Sequence, residues 1–227
     1  VSLWKEIIAA VESGETDFKA YVEKVANILK ENDEDLVEEG VQYYDVKFEE
    51  ESWYYDEVMG LKNEGILTGY KDSEGELTGY FAPEATITYA EMLKLALEVS
   101  QQGASTETPT DTSAIGQWYE GYVAQAESLD LSVLGADWNS NITRHDAVVL
   151  ISEVLGLYKE VDSYNGEFPD VSTSDPDAIH FAAVYEYGVF TGDTDTGKLR
   201  PDDTMNRAEA AKVVFTAMEA LLSQSAE

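Results

Sequence analysis

Two stretches of this chain repeat one another. Gly65-Ile-Leu-Thr-Gly69 runs on to Phe81-Ala-Pro-Glu-Ala-Thr-Ile-Thr-Tyr-Ala-Glu91, and Gly188-Val-Phe-Thr-Gly192 runs on to Leu199-Arg-Pro-Asp-Asp-Thr-Met-Asn-Arg-Ala-Glu209. The paired glycines stand four apart in both, and Pro83 precedes Glu91, as Pro201 precedes Glu209, by eight positions. Such a repeat constrains architecture more than local propensity does, because a single pair of short helices cannot bury its own apolar face and must stack on its copies. A weaker third copy lies between the two. It ends in Ile142-Thr-Arg-His-Asp146, and Trp118 falls in it where Trp53 falls in the first copy.

The apolar spacing makes each copy a helix, a loop and a second helix. In the first copy Tyr55, Val58, Met59 and Leu61 form one stripe, Gly65 supplies the left-handed residue that ends many helices, and the second helix runs from Met92 to Val99. In the last copy Ile179, Phe181, Ala182 and Val184 lead to Gly188, and Ala211, Val213, Val214, Phe215 and Met218 follow the loop. In the middle copy the helices are Tyr119 to Leu129 and Ala147 to Leu155, and the loop lacks the glycine pair, so it is expected to take another path. Residues 1 to about 40 do not match the repeat and read as two amphipathic helices, one carrying Leu3, Trp4, Ile7, Ile8 and Val11, the next Phe18, Tyr21, Val22, Val25, Ile28 and Leu29. The stretch from Gln101 to Gly116, rich in Ser, Thr, Gly and Pro without an apolar period, reads as a linker. The expectation for residues 44 to 222 is one compact three-lobed unit.

Charge narrows the partners. With 14 Lys and Arg against 46 Asp and Glu in 227 residues, the net charge of -32 repels nucleic-acid phosphates and anionic lipid. No run approaches the ~18 apolar residues of a membrane-spanning helix. There is no cysteine, which excludes disulfides and thiolate metal sites. The sequence starts at Val1 without a basic and then apolar leader, which fits a cytosolic chain or one whose signal peptide has been removed. Abundant carboxylates suit a solvated acidic face and equally a salt-rich or divalent-rich exterior.

Thr88…Glu91, Thr143…Asp146 and Asn206…Glu209 each have the spacing of a helix capping box, in which the first side chain accepts from an early N–H and the acid reaches back. Arg144 and Arg207 then occupy the first helical position, where the positive end of the helix dipole disfavours a cation by a few tenths of a kcal/mol. Two readings of these arginines are open. A guanidinium fork at a helix N-terminus receives a carboxylate or phosphate well; alternatively each arginine pairs with one of the many nearby acids. The two readings differ in whether the arginines open into grooves or are paired internally.

Tyr44-Asp-Val46 and Phe168-Pro-Asp-Val171 at the starts of copies, the Gly-x-x-x-Gly pairs, the Phe81-Ala-Pro83 and Leu199-Arg-Pro201 steps and the Ile-Thr-Arg-like helix starts together resemble S-layer homology (SLH) domains over about residues 44 to 222. The resemblance implies an all-α fold of three helix-loop-helix repeats in a pseudo-threefold arrangement around a central helical bundle, preceded by an N-terminal helical segment. The expected division is 1–43 for that segment, 44–100 for the first repeat, 101–116 for the linker, 117–160 for the degenerate second repeat and 161–227 for the third. It further implies a non-catalytic extracellular module on the cell wall or cell surface. Its grooves would bind a secondary cell-wall polysaccharide, often through a pyruvylated sugar whose carboxylate meets the helix-start arginine. Carried over by position, Arg144 and Arg207 are the expected ligand contacts. Tyr89 holds the same place in the first copy and departs from the pattern, since a tyrosine hydroxyl cannot neutralise a carboxylate. Trp53 and Trp118 are placed either to stack on sugar or to fill the core.

Other signals are weaker. Gly192-Asp-Thr-Asp-Thr-Gly197-Lys198 begins like a phosphate-binding loop, but Leu199 replaces the required Ser or Thr and a helix precedes it. Asp193 and Asp195 begin like a calcium loop, yet the glycine comes early and Thr204 stands where Glu is required. No cofactor is implied, although a looser Ca²⁺ site among the loops is left open. His145 and His180 have no neighbouring ligand spacing, so no zinc site is expected. The rival function is an acidic structural module that joins other surface-layer proteins in Ca²⁺-dependent assembly with a decayed glycan site. Neither reading inserts into a membrane or binds nucleic acid.

Overall fold

The computed structural model describes residues 43–47 and 52–224; the two helices expected before residue 43 lie outside them. The described residues are helical: α1 (Tyr55–Asn63), α2 (Tyr89–Val99), α3 (Glu120–Leu129), α4 (Arg144–Leu155), a 3₁₀ turn at Leu157–Glu160, α5 (Ala178–Glu186) and α6 (Arg207–Gln224). All six expected helices are present, and among the described residues extended pairing is limited to isolated bridges. No helix there is long and apolar enough to cross a membrane.

The described residues divide between two compact units, those up to residue 59 together with 68–83, and 60–67 together with 84–224, where a single unit was expected from residue 44. In the first unit the loop of the first copy folds back on the chain that precedes it. The carboxylate of Asp45 accepts the N–H groups of Phe81 and Ala82 at 2.8 and 2.6 Å, and the N–H of Tyr44 donates to the carbonyl of Gly79. Tyr43 and Phe81 pack ring against ring beneath this clasp, both almost fully buried.

In the larger unit α2, α4 and α6 pack on one another. Met92, Leu93 and Leu97 of α2, Ala147, Val148 and Leu150 of α4 and Ala208, Ala210 and Ala211 of α6 have no exposed surface. The alanines of α6 let its backbone approach closely. The flanking helices lean on this trio in rotation: α3 on α2 and α5 on α4, while Gly60, late in α1, lies against the ring of Phe215 in α6 with no room for a Cβ.

Loop chemistry explains where the helices stop. After α1 and α5 the chain turns through Gly65 and Gly188 at φ of 76° and 69°. After α3 the same left-handed step is taken by Asp130 at φ 54°, an aspartate being among the few residues that tolerate it. The middle loop thus opens in the same way without its glycine and diverges only afterwards. Asp170 repeats the clasp of Asp45, accepting from the N–H groups of Leu199 and Arg200 at 2.9 and 2.8 Å. In the middle stretch Asp111 holds the indole N–H of the buried Trp138 instead, at 2.7 Å.

The stretch expected as a linker is fastened down. The carboxylate of Glu127 accepts the N–H groups of Thr110 and Asp111, and the N–H of Ser105 donates to Gly121. These bonds hold the Glu127 carboxyl below its ordinary range, the Thr110 N–H contributing most.

Candidate functional site

The three capped helix starts meet in a ring. Thr88 and Glu91 form a complete capping box, and so do Asn206 and Glu209. At α4 the Thr143 hydroxyl accepts from the Asp146 N–H at 3.1 Å. The aspartate is one methylene shorter than the glutamates, and its carboxylate is engaged elsewhere. Extended bridges join Thr86 with Asn206, Thr88 with Asn141 and Thr143 with Thr204, so every approach segment pairs with the other two. The first helical N–H of each start donates to the carbonyl three residues before the next cap: Tyr89 to Ser140, Arg144 to Asp203 and Arg207 to Ala85. These are donors that a helix cannot satisfy by itself.

Side chains repeat the rotation. Tyr89 donates its hydroxyl to Asp146, Arg144 reaches Glu209 at 3.4 Å, and Arg207 donates to Glu91 at 2.6 Å. Each first helical residue thus meets the acid of the following helix start. In Glu91 and Glu209 one carboxylate oxygen closes the capping box and the other takes the neighbour's arginine. Asp146 divides its oxygens differently, one to Tyr89 and one facing Nδ1 of His145 at 3.1 Å.

Of the two readings of the arginines, internal pairing describes their geometry. Both are 8% exposed. The Nε of Arg144 donates to the carbonyl of Leu199 at 2.6 Å, and its guanidinium lies 5.7 Å from the centre of the Phe190 ring. Burial lowers its pKa, and Glu209 opposes the shift. The hydroxyl of Tyr89 is pushed up to about 12, first by burial and then by its bond to Asp146, so it remains a donor at neutral pH.

Tyr89 also borders a cavity of about 360 Å³, together with Val133, His145, Asp146, Val149 and Asp177. One sugar ring fits a space of this size. His145 had no ligand spacing in the sequence, yet Asp175 and Asp177, from the turn before α5, are brought to its Nε2 at 3.7 and 3.6 Å. The signal that could have found them was the equivalence of the copies, which sets the start of α5 beside α4.

Trp53 and Trp118 are each 58% exposed, which removes the core alternative. Their geometry matches: each stands edge-on to the next tyrosine at 85°, Trp53 on Tyr54 at 5.2 Å and Trp118 on Tyr119 at 5.3 Å. The Gly192–Lys198 turn is closed on itself by a bond from the Asp193 N–H to Lys198, and the Asp193 carboxylate pairs with Arg200 at 3.2 Å.

This arrangement is that of a helical repeat module whose helix starts interlock. Residues 45–93 and 167–211 each match the S-layer homology domain. Over 90 residues, 39% of the chain, it is 34% identical to "Exoglucanase XynX" of Acetivibrio thermocellus and 33% identical to "Amylopullulanase" of Thermoanaerobacterium thermosulfurigenes. The chain spans only 8% and 5% of those proteins' lengths. S-layer homology domains anchor proteins to cell-wall polymers.

Proposed function

We propose that the chain is a non-catalytic anchoring module of the cell surface that binds an acidic secondary cell-wall polysaccharide, pyruvylated sugars included. The stretch between the two matched domains is a third, degenerate repeat, and the three are related by a pseudo-threefold rotation with α2, α4 and α6 at the centre. The observation that carries this reading is the ring of helix starts. The backbone donors, the first-position side chains and the acids that meet them recur three times in one rotational order.

The candidate ligand contacts belong to that ring and to the aromatic residues of the first helices. Arg144 uses Nε and Nη1 among the described residues, which leaves Nη2 for a ligand carboxylate. Arg207 holds the equivalent place, paired with Glu91. Tyr89 gives its cavity a neutral rim, with Asp146 and Asp177 as acceptors for sugar hydroxyls. Trp53 and Trp118 present aromatic faces of the kind that stack on sugar rings. The test is co-sedimentation with purified walls of Acetivibrio thermocellus before and after their secondary polymers are extracted. Binding that disappears with those polymers supports the reading; equal binding to stripped walls refutes it.

A further inference from the structure

We propose that His145, Asp175 and Asp177 form a binding site for a single transition-metal dication of the zinc type. One ligand atom from each lies within 4.8 Å of the other two. The Nε2 to carboxylate separations of 3.6 and 3.7 Å are too long for hydrogen bonds. Ligand atoms held at about 2.0–2.2 Å from a tetrahedral ion stand about 3.3–3.6 Å apart, and the two histidine–carboxylate spacings lie at the upper end of that range, within a small side-chain adjustment of it.

The orientation of the ring is a separate observation. Nδ1 of His145 faces the Asp146 carboxylate at 3.1 Å, and the ring edge packs on Phe181 at 5.1 Å between centres. With Nδ1 turned to Asp146, Nε2 is the ring atom that faces the carboxylates of Asp175 and Asp177. A metal cation between them, or a proton on Nε2, offsets the charge of the carboxylates, and the ¹⁵N shift of that nitrogen tells the two apart. Metal-binding histidines are commonly held by a carboxylate on the far nitrogen in this way. Asp146 is held in turn by the Tyr89 hydroxyl, so a chain of contacts fixes the ligand.

One nitrogen and two carboxylate oxygens select zinc-type ions over Ca²⁺, which takes six to eight oxygens. His145 and Asp177 both line the cavity beside Tyr89, so water or a ligand group reaches the remaining coordination position from that space. The ion would supply positive charge at the helix start that has tyrosine in place of arginine. That consequence rests on the glycan reading; metal binding itself does not.

The test titrates the protein with Zn²⁺ in millimolar Ca²⁺, which occupies the general acidic surface, and follows heat and imidazole ¹⁵N shifts. The chain has 2 histidines, so the two rings are readily told apart. The expected result is saturation at one Zn²⁺ per chain, a shift of the His145 Nε2 resonance, and an unmoved His180. Affinity should fall at least 100-fold in His145→Ala and about 10-fold in Asp146→Asn, the usual loss for a residue that supports a ligand. Asp193→Asn should bind as the parent does. If His145→Ala does not fold, the shift in the parent protein decides. No saturable binding over Ca²⁺, or an unmoved His145 ring at saturation, overturns the proposal, and neither result touches wall binding.

Discussion

Replacing Arg144 by methionine separates the structural use of this residue from its use for a ligand, because methionine keeps an apolar stem and removes only the guanidinium. The lost Nε bond to Leu199, at 2.6 Å, is a buried bond from a charged donor, worth about 1.5–3 kcal/mol. The contact with Glu209 adds at most about 1 kcal/mol, since that carboxylate is 28% exposed and screened. The Phe190 face adds about 0.5–1 kcal/mol. Against these, methionine avoids the desolvation of a buried charge, which returns about 1–2 kcal/mol. The net expectation is a loss of about 2 kcal/mol, or about 4–8 °C in melting temperature for a chain of this size. Denaturant titration with circular dichroism measures it, and Arg200→Ala, at an exposed pair, should stay within about 0.5 kcal/mol. A loss below about 0.5 kcal/mol in Arg144→Met would show that the buried pair is not structural. Wall binding that survives in the folded variant would remove Arg144 from the ligand site.

Thr143→Ala removes the one side-chain cap at the start of α4 and should cost about 1 kcal/mol by the same titration. Gly60→Ala sets a methyl against Phe215, so overpacking of about 1–3 kcal/mol should outweigh the helix-propensity gain of up to ~1 kcal/mol, lowering the melting temperature. His180 is buried against Ser152 and its pKa is lowered by that burial, so the unfolded chain binds the proton first. Stability should therefore be full above about pH 6.5 and fall as pH drops toward the lowered value, and His180→Gln should flatten that slope. At a net charge of -32 the fold should be more stable in ~0.5 M salt than in low salt, and equal effects of Ca²⁺ and monovalent salt at matched ionic strength would remove the calcium-assembly reading.

The helices and their starts were legible because apolar spacing and cap chemistry are local. Thr88 with Glu91 and Asn206 with Glu209 needed only three residues of context, and both boxes are present. The arginines were legible as an anomaly but not as a geometry: nothing local says that Arg207 finds Glu91, more than a hundred residues earlier. The fastening of residues 101–116 was hidden for the same reason, since composition reports the absence of an apolar stripe and is blind to a carboxylate such as Glu127 that binds the backbone from α3. Asp130 shows a further limit. Glycine marks a left-handed position in the sequence only where it occupies one, and aspartate also takes that conformation.

The positions on which the three stretches agree are those that touch a neighbour. The middle stretch has lost its glycine pair yet keeps a cap residue, a first-position side chain and an acid, in Thr143, Arg144 and Asp146. Loops can vary because each is fastened by whatever clasp it has, Asp45 and Asp170 on backbone amides, Asp111 on a side-chain indole. A helix start cannot vary so freely. Its first N–H needs a carbonyl from the next approach segment, and its acid needs the side chain that arrives from the previous start. Removing any one stretch would leave a buried donor on one neighbour and an unmatched charge or hydroxyl on the other, each costing about 1–3 kcal/mol. The ring therefore couples the three helix starts, and the surface where they meet keeps its geometry only while all three are folded.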